Sequence, residues 1–359
     1  MKASYTVGII GATGMVGQRF ALLLASHPWF KVGVLAASAR SAGKSYEEAI
    51  AGRWLMKEPI PEGLKKLPVY DASDVETVAA RCDFIFCAID MKKPETRALE
   101  EIYAKREIPV VSNNSACRAL PDVPMMIPEI NPDHSGAILE QRKRLGTKRG
   151  FIAVKPNCSI QSYVPALTPF WQNGIEAVVV STYQAISGAG KTFETMPEIL
   201  DNVIPFISGE EEKSEQEPLK IWGRLENGLI VPAKGPKISA QCYRVPVSDG
   251  HTASVSVKFK NKPSIEQMKL SWATYKGEPQ KLELPSAPNP FLTYFDEENR
   301  PQARLDRDLG RGMGIAIGRL REDPVLDYRF VCLSHNTLRG AAGGGVLSAE
   351  LLCAQGWMD

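Results

Sequence analysis

The chain opens with short apolar runs separated by glycines and helical stretches. Residues 5–10, 31–37, 82–89 and 108–112 each read as a buried strand. Residues 15–25 read as a helix, with Val16, Phe20, Leu23 and Leu24 on one side. Largely apolar strands alternating with helices predict a parallel sheet covered on both faces. After Gly150 the pattern changes. Residues 151–155 read as a strand, 159–171 as a helix and 175–187 as a long strand-like run. Residues 252–259 alternate polar and apolar, the mark of an antiparallel strand with one covered face, and 328–334 read as another strand. The acidic stretch 210–215 reads as a solvated face or loop, and 343–356 as a helix opening on three glycines. The predicted class is α/β: a Rossmann-type dinucleotide-binding domain followed by an α+β domain with a mixed sheet.

A length of 359 residues supports this division, being too long for one ordinary core. The 43 basic and 41 acidic side chains nearly cancel, so neither a nucleic-acid nor a membrane-surface partner is expected. No apolar run reaches the roughly 18 residues of a membrane span. The first strand begins at about Tyr5 and leaves no room for a signal peptide. Seven cysteines, an odd number with no C-x-x-C pair, point to reduced thiols and to no metal site. A cytoplasmic protein, or an organellar one already processed, is the expectation.

Gly11-Ala-Thr-Gly-Met-Val-Gly17 follows the first strand and opens the first helix. Such a turn aims backbone N–H groups and the positive helix end at a pyrophosphate. Gly11, Thr13, Gly14, Met15, Val16 and Gly17 are therefore the expected phosphate cradle. The spacing is G-x-x-G-x-x-G rather than G-x-G-x-x-G, so the flanking strand and helix carry the assignment. An acid about 20 residues further on would select NAD through its ribose hydroxyl. This chain instead offers Ser38, Arg40, Ser41 and Lys44, with no acid before Glu47. Hydroxyls and a guanidinium suit a 2′-phosphate, so NADP (as NADPH) is the expected cofactor.

Cys158, in Lys155-Pro-Asn-Cys-Ser-Ile-Gln161, sits between a strand and a predicted helix. A helix N-terminus there would stabilise a thiolate. His251 opens the alternating strand and is the natural acid/base partner for a thiol. Buried cysteines near helix starts are common, and a lone histidine in a turn usually lies at the surface. The pair gains weight from the nucleotide loop in the same chain.

With these motifs stand Ser112-Asn-Asn-Ser-Ala-Cys-Arg118, residues 181–190 (STYQAISGAG), Arg244-Val-Pro-Val247 with Gly250-His251, and residues 336–342 (NTLRGAA). In this order, from the glycine loop to the chain end, the sequence resembles the aspartate-semialdehyde dehydrogenases, especially their archaeal and fungal branch. N-acetylglutamyl-phosphate reductases and malonyl-CoA reductases share the plan. The resemblance implies a Cys158 nucleophile, a His251 acid/base group, and Gln184 orienting the acyl group. Asn157 would be an oxyanion donor through its side chain or backbone. Arg118 would bind the transferable phosphate and Arg244 the substrate α-carboxylate. Glu210 and Lys213 would take the substrate amine and the phosphate, although Glu210-Glu-Glu212 allows a one-residue shift of this register. Ala88, Asn113, Ser187, Gly188 and Asn336 would complete the cofactor site, with His335 a neighbour. The implied division is 1–156 for the nucleotide, completed by 340–359, with 157–339 for catalysis and assembly into a homodimer or homotetramer. The implied reaction is NADPH-dependent reduction of aspartyl-β-phosphate to aspartate-β-semialdehyde through a thioester. Glu210 argues against malonyl substrates, which lack an amine. A cysteine hydrolase would leave the acid-free loop after the second strand unexplained, and a silent NADP-binding sensor would leave Cys158, His251, Arg118 and Arg244 without a use.

Overall fold

The computed structural model describes residues 2 and 4–359. The first sheet holds β1 (Tyr5–Ile10), β2 (Phe30–Ala37), β3 (Val69–Asp71), β4 (Phe84–Cys87), β5 (Val110–Ser112) and β6 (Ile152–Val154). Their spatial order is β3-β2-β1-β4-β5-β6, and every pairing is parallel. The direction of winding reverses between β1 and β4, which opens a crevice at their carboxyl ends. Strand β6 is the last of this sheet, so the change of pattern seen after Gly150 falls one strand later in space. Three-residue β3 is too short to leave a periodic signal, and the sequence reading passed over it.

The second sheet is mixed. After β7 (Ile175–Gln184) and a small hairpin of β8 (Arg224–Glu226) and β9 (Leu229–Val231) come β10 (Lys237–Arg244) and β11 (His251–Phe259). It closes with β12 (Leu292–Phe295), β13 (Ile315–Glu322) and β14 (Tyr328–Ser334), in the order β10-β7-β11-β14-β13-β12. Strands β7–β10 and β12–β13 pair parallel, and the other neighbours antiparallel. The run 175–187 stops as a strand at Gln184 and turns into a short 3-10 segment, Ile186–Ala189. The predicted helix 159–171 is α-helical only over Ile160–Leu167 and tightens into a 3-10 turn, Thr168–Asn173.

The acidic stretch is not a loop, and only part of it is solvated, with Glu212 exposed. It begins the helix Glu210–Ile221, which buries Glu210, Ser214, Glu217 and Lys220. The last helix, Gly343–Ala354, is buried nearly all round and packs into the first sheet's core with Phe20, Phe86, Val111 and Ala153. It needs a small residue where it enters: a Cβ on Gly344 would lie 2.5 Å from the Arg339 carbonyl oxygen. The preceding turn, Leu338–Ala342, is a π-helical segment with Ala341 at φ −144°, ψ −108°. Such local widening is frequent at functional sites.

Arg339 in this turn is 1% exposed and donates from both terminal nitrogens to Glu129, with the Phe291 ring 4.7 Å away. A buried pair of this kind adds little net stability when intact, yet losing one partner strands a charge in the interior. Glu129→Ala should therefore cost about 3–5 kcal/mol in urea unfolding. A loss below about 1 kcal/mol, the range of an exposed pair, would contradict this reading.

Candidate active site

The segment between β6 and the helix Ile160–Leu167 carries Cys158 one residue before the helix cap, Ser159. Asn157 shapes this turn, its Oδ1 accepting from the Ser159 backbone N–H at 2.7 Å and the Ser159 hydroxyl at 2.6 Å. A Cβ on Gly340 would lie 2.8 Å from that of Cys158, so the π turn presses directly against the cysteine. On the other side, His251 Nε2 lies 3.4 Å from Cys158 Sγ. The ring is fully buried, and its Nδ1 accepts from the Ala185 N–H at 3.0 Å. An accepting Nδ1 places the neutral ring's proton on Nε2, facing the sulfur. Burial, aided by the Arg244 charge, pushes the His251 pKa down to about 3. From pH 6.5 downward an unfolded chain binds a proton that this site refuses, so burial of neutral His251 lowers stability as pH falls through that window.

The thiol departs from expectation. Burial, reinforced by the Glu210 carboxylate, raises the Cys158 pKa, while Lys155, Arg118 and Arg244 pull it down. A helix end one residue away does not outweigh loss of water around the sulfur.

The helix Glu210–Ile221 supplies the next layer. Of the three adjacent glutamates, Glu210 is the one that turns inward. It accepts from Asn157 Nδ2 at 2.9 and 3.0 Å, Gln184 Nε2 at 3.2 Å and Lys213 Nζ at 2.8 Å. Burial opposes its charge, but Lys213 and the two amides hold its carboxyl below the usual range. Glu211 instead accepts from the Cys242 N–H, and Glu212 is exposed. Glu217, one helical repeat further, takes the Asn157 backbone N–H at 2.5 Å and Arg118 Nη1 at 2.9 Å. Asn157 thus directs its side-chain and backbone donors to Glu210 and Glu217. In this geometry it is a positioning residue, and the expected oxyanion donor is not free there.

Arg118 also donates to the Asn113 carbonyl at 3.1 Å, and among the described residues its buried Nε has no partner. Lys220 holds the Arg118 loop from below through the carbonyls of Arg118, Leu120 and Val123, at 2.7, 2.7 and 2.9 Å. A cavity of about 430 Å³ opens here, lined by Lys93, Ser115, Arg118, Lys213 and Glu217. Arg244, at the end of β10, donates Nη1 to the Ala185 carbonyl at 2.7 Å. Gly188 packs closely on both groups, since a Cβ there would lie 3.1 Å from Arg244 Nη1 and from the His251 ring. Asn336 ties this turn to the catalytic strand, donating to Ser187 Oγ and accepting from Gly250 N–H, both at 2.8 Å.

The residues expected to hold a cofactor in the first domain follow the carboxyl ends of β1, β2, β4 and β5. Gly11 has φ +84°, and a Cβ there would fall 2.5 Å from the Ala88 carbonyl oxygen. A Cβ on Gly17 would fall 2.1 Å from the Gly11 carbonyl oxygen. The helix Met15–Leu24, preceded by Thr13 and Gly14 and carrying Val16 in its first turn, has no acid there and no side-chain cap. Its N–H groups are open to an anion. Beyond β2, Ser38 and Arg40 are exposed and Ser41 is buried, in a turn closed by Ser41 N–H to the Ser38 carbonyl at 2.8 Å. Both amide atoms of the Asn113 side chain are buried and have no partner among the described residues. Open helix N–H groups, clearance for a pyrophosphate and unsatisfied amide atoms together fit a dinucleotide. The His335 ring is held by its own turn, its Nδ1 accepting from Thr337 and Leu338 N–H at 3.3 and 3.4 Å.

Sequence reasoning missed Glu217, Lys220, Lys155 and the Glu129–Arg339 pair. The signal for the first two was present as polar residues at 210, 214, 217 and 220, which is helical spacing.

A dinucleotide crevice joined to a Cys–His centre defines a two-domain aldehyde dehydrogenase of the semialdehyde type. The family model for "Semialdehyde dehydrogenase, NAD binding domain" matches residues 6–138, and that for "Semialdehyde dehydrogenase, dimerisation domain" matches 167–339. The chain belongs to the aspartate-semialdehyde dehydrogenase family. It is 43% identical to the Archaeoglobus fulgidus enzyme over 97% of this chain and 98% of that one. It is 42% identical to the Saccharomyces cerevisiae enzyme over 99% of both. The crystal structure of the Candida albicans enzyme with NADP superposes at a TM-score of 0.89, with 40% identity and 99% of each chain covered.

Glu217→Gln replaces one acceptor by a donor facing Arg118 or Asn157. Turnover should fall at least tenfold while thermal stability changes little. A turnover within twofold of wild type would remove Glu217 from the site.

Proposed function

We propose that the protein catalyses NADPH-dependent reductive dephosphorylation of L-aspartyl-β-phosphate to L-aspartate-β-semialdehyde, in the biosynthesis of lysine, threonine and methionine. The observation that carries this reading is the 3.4 Å approach of Cys158 Sγ to His251 Nε2, with Arg118, Arg244 and Glu210 around it. The Arg244 fork receives the α-carboxylate, Glu210 the α-amine, and Arg118 with Lys213 the phosphate. This fixes the β-carbonyl over the sulfur. Cys158 displaces phosphate to give a thioester, splitting one hard step into two easier ones. NADPH, held by the glycine loop and by Ser38, Arg40, Ser41, Ala88 and Asn113, supplies the reducing equivalents. The Ser187–Gly188 turn and Asn336 would border its nicotinamide end. The Nε2–H of His251 donates to the oxygen that gains charge and stabilises it, and collapse of that oxyanion breaks the C–S bond, releasing the aldehyde and the Cys158 thiolate. Gln184 orients the acyl group.

The nucleotide domain is taken as residues 1–156 with 340–359, and the catalytic domain as 157–339. The exposed face of the second sheet carries Val179, Tyr183 and Tyr243, beside Leu200, Val203 and Phe206. This face suits a second copy of the chain, as a homodimer or as half of a homotetramer. Seven free cysteines suit a reducing compartment, and we assign the cytoplasm. Among the described residues, no helix is long and apolar enough to cross a membrane.

NADPH should form from L-aspartate-β-semialdehyde and NADP only when phosphate is present. Cys158→Ala should abolish that turnover and leave NADPH binding intact. Phosphate-independent turnover would point to a hydrolytic aldehyde dehydrogenase, and loss of cofactor binding to a structural cysteine. Phe206→Asp should weaken self-association in sedimentation, and an unchanged profile would move the contact elsewhere.

A further inference from the structure

We propose that Glu100 is a positioning residue for cofactor and substrate: one buried oxygen of its carboxyl fixes the turn that carries Asn113 and, through the Asn113 carbonyl, the Arg118 guanidinium. This rests on the proposed roles of Asn113 toward NADPH and of Arg118 toward phosphate. Glu100 lies on the helix Lys93–Lys105, whose buried residues are Thr96, Leu99, Glu100, Tyr103 and Ala104. It is the one acid of that buried stripe and is 0% exposed. Packing alone would be served by an apolar side chain, without the cost of taking a carboxyl out of water.

Its contacts converge on one short turn. Glu100 Oε1 accepts from the Ser112 hydroxyl at 2.5 Å and from Asn114 Nδ2 at 3.0 Å. Ser112 and Asn114 are the two neighbours of Asn113. With its proton directed at Glu100, the Ser112 oxygen accepts from the Asn114 backbone N–H at 3.0 Å. Asn114 Nδ2 also reaches the Cys87 sulfur at 3.4 Å, and the Asn113 N–H donates to the Cys87 carbonyl at 2.9 Å. The backbone is thereby tied on both sides of Asn113.

The restraint continues to Arg118. The Asn113 carbonyl accepts from Arg118 Nη2 at 3.1 Å, while Arg118 Nη1 goes to Glu217 at 2.9 Å. Rotation of the peptide between residues 113 and 114 would withdraw that carbonyl and leave the guanidinium anchored through Nη1. It would also swing the Asn113 side chain. Burial raises the Glu100 pKa, although Ser112, Asn114 and the Cys117 and Cys87 thiols pull it down. Glutamine, neutral and of the same shape, keeps the accepting oxygen.

The test compares Glu100→Met, which fills the space and removes the acceptor, with Glu100→Gln, which retains it. NADPH affinity is read by fluorescence titration of the full-length protein, and the KM values of phosphate and aspartate-β-semialdehyde from NADPH formation. In Glu100→Met the Kd of NADPH and the KM of phosphate should each rise about fivefold or more, as expected for a lost buried hydrogen bond. The KM of aspartate-β-semialdehyde, assigned to Arg244 and Glu210, should stay within about twofold. Glu100→Gln should bring both raised constants back to within about twofold of wild type. A merely structural role would lower the active fraction, and with it kcat, and leave these constants in place. Unchanged constants in Glu100→Met therefore overturn the proposal, as do an equal rise in all three and a glutamine variant no better than methionine. Should Glu100→Met fail to fold, Ser112→Ala removes one arm of the same contact and carries the same expectation. Arg118→Ala separates the underlying reading. If it leaves the KM of phosphate unchanged, Arg118 is not the phosphate residue, and the NADPH affinity of the Glu100 variants still decides.

Discussion

Asn157 is held by two carboxylates at once, and the geometry of the centre follows from that. Its side-chain amide rests on Glu210, its backbone N–H on Glu217, and its own oxygen closes the turn onto Ser159. The residue that follows is Cys158. Both carboxylates come from a single helix, so the height and rotation of that helix decide where the sulfur sits. Glu217 carries the same constraint to Arg118, and Glu210 carries it to Gln184 and Lys213. One rigid element thereby aligns groups contributed by both sheets.

Placing so many charges out of water is expensive, and the structure offsets that cost by pairing nearly all of them. Lys220 spends its ammonium on three loop carbonyls, and Arg339 grips Glu129. What remains unpaired is informative. Among the described residues, the Nε of Arg118 and the amide of Asn113 are buried with no partner, next to a cavity and a crevice respectively. Groups in that condition carry a desolvation penalty that a bound anion or cofactor amide would relieve.

The two sheets are joined where chemistry needs them to meet. The π turn 338–342 puts Gly340 against the cysteine and Gly344 against Lys155, then continues into the helix that packs on the nucleotide-binding sheet. Asn336, just before it, links the Ser187 turn with the loop preceding His251. A shift of the last helix would therefore be felt at the sulfur and at the Ser187 turn together.

The parallel sheet, the glycine loop and the alternating strand of His251 were legible because hydrophobic period and glycine placement are local properties of the chain. Cys158 and His251 could be singled out by type and neighbours. Strands β3, β10 and β12 were not, because short or edge strands leave weak alternation and depend on their partners to form, and β13 was not because its first four residues are all buried and show no alternation. The acidic stretch misled for a related reason: its inward face is polar, and only packing against Asn157 and Arg118 turns a solvated-looking run into a buried helix. The direction of the Cys158 shift likewise belongs to tertiary structure. A helix start can be read along the chain, but how much water surrounds a sulfur depends on residues 93 and 182 positions away. What the order of residues determined by itself was the kind of chemistry; which atoms face one another, and in which protonation state, was decided by the fold.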